Sequence, residues 1–129
     1  MDKRTKMAIA ENLDKLMKHH GLSQKDVEGR SGVSQRTISN ILNADADPRY
    51  SPTIHIIEKL AASFSLPAWQ LQIPDLPIEV LTSHNLAKIV DAYSTIDQNG
   101  RDMVSRISEA EARYSSQEKP DQKVRSHKV

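Results

Sequence analysis

The stretch LSQKDVEGRSGVSQRTISNIL, from Leu22 to Leu42, decides how this chain folds. Ser23 is an N-cap residue, and Asp26 stands three positions on, where it can bond back to the cap and start a helix. Val27 is the inward residue of that helix, and Gly32 supplies a turn conformation that other residues resist. Ser34 then caps a further helix, whose Thr37, Ile38, Ile41 and Leu42 form a buried side. Its polar side carries Ser34, Gln35, Arg36 and Asn40. Arg36 and Asn40 are four apart and so share a face, with Gln35 beside them at the exposed amino-terminal end. These are side-chain types that reach base edges in a DNA major groove: Arg reads guanine through two hydrogen bonds, and Gln or Asn reads adenine.

Outward from this stretch, helical spacing dominates and strand signals are nearly absent. Upstream, the pattern predicts a first helix from about Thr5 to His20, with Ile9, Leu13, Leu16, Met17 and His20 on one face and Gly21 ending it. Downstream, ADADPRYSP is a loop by composition. Ser51 before Pro52 reads as a cap followed by the residue suited to a helix's first position. The fourth helix then runs to about Phe64 with Ile54, Ile57, Leu60, Ala61 and Phe64 inward. Pro67 opens a short fifth helix carrying Leu71 and Trp69, the latter as a core plug. IPDLP, residues 73–77, cannot continue a helix, so the first domain is expected over 5–76. Beyond it, Leu86, Ile89, Val90, Tyr93 and Ile96 form one stripe, and Val104, Ile107 and Ala110 another after Asn99-Gly100. These predict a helical hairpin over 83–114, followed by a polar, disordered tail over 115–129.

The 129 residues suffice for one compact core and an appendage. Cysteine is absent, which excludes disulfides, thiolate metal sites and a cysteine nucleophile, and fits a reducing cytoplasm. No run reaches the roughly 18 apolar residues of a membrane span, and no signal segment is evident, so a cytoplasmic protein without a membrane partner is expected. Net charge is only +1, but its distribution is uneven. Residues 1–42 hold eight Lys/Arg against five Asp/Glu, residues 43–82 two against five, and residues 83–129 eight against seven. The basic excess falls on the segment with the candidate reading helix, as phosphate contact requires.

The combination of Leu22-Ser23-Gln24, Val27, Gly32-Val33-Ser34-Gln35, Thr37-Ile38-Ser39 and the closure FSLPAWQL (64–71) resembles the Cro/Xre-type helix-turn-helix family. The likeness covers about half the chain, from Ile9 to Leu71. It implies an all-α protein: a five-helix, lambda-repressor-like DNA-binding domain, followed here by the helical hairpin and tail. It implies binding to double-stranded DNA as a homodimer, on two-fold related half-sites about one helical turn apart. Residue by residue, it implies base reading by Ser34, Gln35, Arg36 and Asn40. Phosphate contacts are implied for Gln24, which also braces the reading helix, and for Ser39, Asn43, Arg49 and Tyr50.

Two positions depart from the family pattern. Relatives commonly carry a small residue where this chain has Glu28, so Glu28 is expected to tilt outward or to pair with Arg30 or Arg36. Many relatives carry an arginine and a glutamate, forming an ion pair, where this chain has Met17 and Leu42. An apolar pair often replaces a buried ion pair without loss, so these two are expected to touch.

Other constellations carry less. His55 and Glu58 have a spacing that can hold metal, but no second pair accompanies them. Asp97-x-Asn99-Gly100 lacks the glutamate of a calcium loop and reads as a helix cap and turn. No nucleophile elbow or phosphate-cradling glycine loop is present, so neither enzymatic activity nor a cofactor is expected. A sequence-specific transcriptional regulator, a phage- or prophage-type repressor reading a near-palindromic operator, is the leading expectation. The alternative is an antitoxin or anti-repressor that holds a protein partner through the hairpin, with DNA binding secondary.

Overall fold

A computed structural model describes the backbone of residues 1–128 and the side chains of residues 1–117. It contains eight helices among the described residues: α1 (Lys3–His20), α2 (Gln24–Ser31), α3 (Gln35–Leu42), α4 (Ile54–Ser63), α5 (Ala68–Leu71), α6 (Ile78–Leu81), α7 (Asn85–Thr95) and α8 (Gln98–Lys128). The chain divides into two compact units, one over Met1–Leu86 and one from Ala87 onward. No helix among the described residues is long and apolar enough to cross a membrane.

In the first unit, helix ends follow local chemistry. The Asp2 carboxylate accepts the Thr5 N–H at 2.7 Å and starts α1. Gly21 stops it with φ +64°, a left-handed conformation that a side chain would strain. α2 begins with a reciprocal cap: Ser23 Oγ accepts the Asp26 N–H at 3.1 Å, and Asp26 accepts the Ser23 N–H at 2.9 Å. α4 starts two residues later than the Ser51-Pro52 pattern predicts. Pro52 is buried, the chain stays extended past it, and Thr53 Oγ1 accepts the Ile56 N–H at 3.2 Å. That shift turns Ile54 outward rather than inward; it is 60 % exposed.

Ile9, Leu13 and Leu16 of α1 meet Val27, Ile38, Ile41, Ile57 and Leu60 in one core. Each such side chain contributes about 1.5–3 kcal/mol when fully removed from water. His20, expected on this face, is exposed and stacks instead on Phe64, with ring centroids 5.7 Å apart. Trp69 is no core plug either. It is 37 % exposed, because the single turn of α5 has one inward side and Gln70 and Leu71 occupy it. The Gln70 amide donates to the Leu81 carbonyl at 2.9 Å. Leu81, on the short α6, is itself fully buried, so the compact unit extends to Leu86 rather than closing at 76.

Polar groups on α1 bind the connections of this unit. Asn12 Nδ2 donates to the carbonyls of Leu71 and Ile73, both at 2.8 Å, and Lys15 Nζ to that of Leu76 at 2.9 Å. Lys6, only 9 % exposed, donates to the carbonyls of Pro48 and Tyr50, each at 3.0 Å.

In the second unit, α7 and α8 meet at Ile96–Asp97. Asp97 Oδ1 accepts the Gly100 N–H at 2.9 Å, the helix cap that its spacing predicts. Arg101 reaches back to the carbonyls of Tyr93 and Ser94, at 3.0 and 3.4 Å, and so closes the end of α7. Ser115, Ser116 and Gln117 continue α8; the side chains of the tail beyond them lie outside the described residues.

Candidate nucleic-acid interface

Between α2 and α3 the chain reverses within three residues. Gly32 takes φ +76°, and the Ser31 hydroxyl bridges the turn, donating to the Val27 carbonyl at 2.7 Å and accepting the Val33 N–H at 3.1 Å. Val33 then buries its side chain in the core. Behind α3, Ile38 and Ile41 are buried and Leu42 packs on the same core, leaving the opposite side to solvent.

Two hydrogen bonds satisfy the first turn of α3. Ser34 Oγ accepts the Thr37 N–H at 3.2 Å and donates to Thr37 Oγ1 at 2.9 Å. Its hydroxyl is thus already engaged in capping, although the residue is exposed. Glu28 supplies the other. Its carboxylate accepts the Gln35 N–H at 2.7 Å, placing negative charge at a helix amino terminus, where it is favourable. Glu28 is half-buried and forms an ion pair with neither Arg30 nor Arg36.

Arg36 is therefore not tied to Glu28. The side chains of Gln35, Arg36 and Asn40 are exposed, and none of them makes a hydrogen bond to another described residue. Arg36 and Asn40 border a shallow cleft of about 220 Å³ together with Asn43, Ala46, Asp47 and Tyr50. The structure thus brings the expected readers onto one accessible face, contiguous with residues at the end of α3.

The expected phosphate contacts are placed less uniformly. Gln24 stands at the first position of α2, half-buried. Asn43 folds back on α3, donating through Nδ2 to the Ser39 carbonyl at 2.9 Å, and so ends the helix. Arg49 has an exposed side chain, while its backbone N–H is fixed by Asp47 Oδ1 at 3.0 Å. Tyr50 lines the same cleft as Arg36 and Asn40, but its hydroxyl is covered. That hydroxyl has no described partner, and burial pushes the phenol above the usual value of 10, so the hydroxyl faces no incoming phosphate. Met17 lies in the core and Leu42 packs against the cluster that contains it, an apolar setting at the positions where relatives carry an ion pair.

Lys6 is the residue of this region that the pattern left unassigned. It precedes Ile9 by three and Ala10 by four, which puts it on the buried face of α1. A buried ammonium must find acceptors, and the loop carrying Arg49 provides two carbonyls.

A family model described as helix-turn-helix matches residues 13–68, from within α1 to the first residue of α5. No curated protein and no solved structure matches the chain.

Proposed function

We propose that the chain, whose residues 13–68 match the helix-turn-helix family model, is a DNA-binding transcription regulator of the Cro/Xre type, a phage- or prophage-type repressor reading a near-palindromic operator as a dimer. The observation that carries the base-reading part is the free polar face of α3. Gln35, Arg36 and Asn40 are exposed at helical spacing, with their backbone held rigidly by Ser34, Glu28 and the core behind. Arg36 reads guanine, and Gln35 or Asn40 reads adenine. Ser34, its hydroxyl already bonded to Thr37, is the weakest of the four. Gln24, Ser39, Asn43 and Arg49 contact phosphates and set the register, and Tyr50 forms the cleft wall rather than a contact.

The test is selection of bound sites from random double-stranded DNA, read by sequencing. The expected consensus is two-fold symmetric, with half-sites about 10 base pairs apart centre to centre. A flat consensus would remove specific reading, and an asymmetric one would remove the dimeric operator.

The exposed apolar side chains of α7 and α8 favour a second reading, an antitoxin or anti-repressor that holds another protein. A chain that stays monomeric alone, yet forms a stable complex with the product of an adjacent gene, would replace the first reading with this one.

A further inference from the structure

Along α8 the side chains Met103, Ile107, Ala110 and Tyr114 recur at alternating intervals of four and three. They form one seam, and it is uncovered: Met103 is 53 % exposed, Ile107 55 % and Tyr114 48 %. The four span eleven positions, about three turns, so they stay on one face of a straight helix, and an exposed apolar face of this kind is buried when a second helix lies along it. The seam starts only past the helix junction. At Gly100, the position before Met103 in the same repeat, a Cβ would stand 3.1 Å from Ile96 Cδ1, so the junction itself fills that space.

The flanking charges choose the occupant and its direction. Arg106 immediately precedes Ile107 on one side of the seam, and Glu111 immediately follows Ala110 on the other. In a parallel two-stranded pair, a residue just before the seam faces the one five positions later on the opposite chain. Arg106 then meets Glu111 of a second copy, and the same contact recurs by symmetry. In an antiparallel pair with Met103 opposite Tyr114, the same flanks bring Arg106 against Arg113, which is repulsive, and Glu111 against Val104, where it gains no ion pair. Arg101, the remaining cation at the start of the helix, is turned to the carbonyls of Tyr93 and Ser94 and away from this role.

We propose that α8 pairs in parallel and in register with α8 of a second copy of this chain, through Met103, Ile107, Ala110 and Tyr114 flanked by two Arg106–Glu111 ion pairs. The inference rests on the dimeric reading above and gives it a contact. Small Ala110 lets the two backbones approach, and the parallel sense starts both helices at the same end of the pair. The seam spans only about 17 Å, so the pair is concentration-dependent, and joint binding to two half-sites strengthens it.

The full chain holds no cysteine, so single cysteines report geometry without background. Tyr114→Cys should give a disulfide-linked dimer under mild oxidation. In a mixture of Tyr114→Cys with a size-tagged Met103→Cys chain, like residues should link in preference to unlike ones. Sedimentation should show Arg106→Glu weakening the dimer roughly tenfold, and adding Glu111→Arg should restore it. Preferential linkage of Met103→Cys to Tyr114→Cys would mean an antiparallel pair and overturn the proposal. A dimer that neither cross-links nor responds to the charge changes would also overturn it, while leaving the dimeric repressor intact. Failure of that broader reading shows separately, as an asymmetric site in the DNA selection.

Discussion

Glu28 Oε2 accepts the backbone N–H of Gln35 at 2.7 Å, so the middle of α2 holds the first residue of α3. Relatives commonly carry a small residue at this position. Here the carboxylate acts as a second cap beside Ser34, and Arg36 is left unpaired by it. Glu28→Ala should lower stability by about 1 kcal/mol, the usual worth of a helix cap, seen as a shifted midpoint in urea. The Glu28→Ala and Arg36→Ala effects on stability should add to within about 0.5 kcal/mol. A larger coupling would show that the two side chains interact after all.

Arg36 and Arg49 should separate reading from attraction. Arg36→Ala should cost about 1–3 kcal/mol on the preferred site and relax one base position in it. Arg49→Ala should weaken binding to every sequence and flatten its salt dependence, as expected of a phosphate contact rather than a base contact. Fluorescence anisotropy on the selected site and on scrambled DNA, each across a salt series, distinguishes the two. Equal weakening on both DNAs for both variants would count against base reading.

Leu81 should define where the first unit ends. Leu81→Ala should cost about 2–5 kcal/mol, the range for a fully buried leucine. A chain ending at residue 76 should unfold at lower urea than one ending at residue 86, since it also lacks the Leu81 carbonyl that takes the Gln70 amide. Matching midpoints would make α6 dispensable.

Lys6→Met should destabilise by about 1–3 kcal/mol despite keeping an apolar stem of similar length, because two loop carbonyls lose their donor. Amide exchange should quicken around residues 47–51 more than within α4. Unchanged exchange there would mean the loop is held by something else.

Asp26 should titrate below the ordinary aspartate value of 3.8, because the Ser23 N–H, and then its side chain, bond to the charged form. A lowered folded value means the contribution to stability is complete above the ordinary value and disappears as pH falls through the folded one. Side-chain NMR of Asp26 between pH 2 and 6 would show this, and Ser23→Ala should move the midpoint part of the way back.

The helix ends set by near neighbours were legible. Ser23 with Asp26, Gly21, Gly32 and Ser34 each act within four residues, so their spacing alone specifies the geometry. The free face of α3 was legible for the same reason. What escaped depends on distant chain. Pro52 is drawn into the core, which moves the cap of α4 from Ser51 to Thr53. Gln70 displaces Trp69 from the inward side of α5 because α6, eleven residues on, brings a carbonyl to it. Glu28 finds its partner across a turn, seven residues ahead, where no helical repeat points.

Lys6, Asn12 and Lys15 together make α1 a template with open positions. Each donates to carbonyls between 42 and 61 residues further along the chain. In any chain that lacks residues 48, 71, 73 and 76, these acceptors are missing. The buried face of α1 then holds an amide and an ammonium with nothing to bond, and packing that face is unfavourable. The seating of α3 against α1 therefore depends on chain well beyond α3 itself, and a product cut before Leu76 should carry the helix-turn-helix sequence on a weaker support.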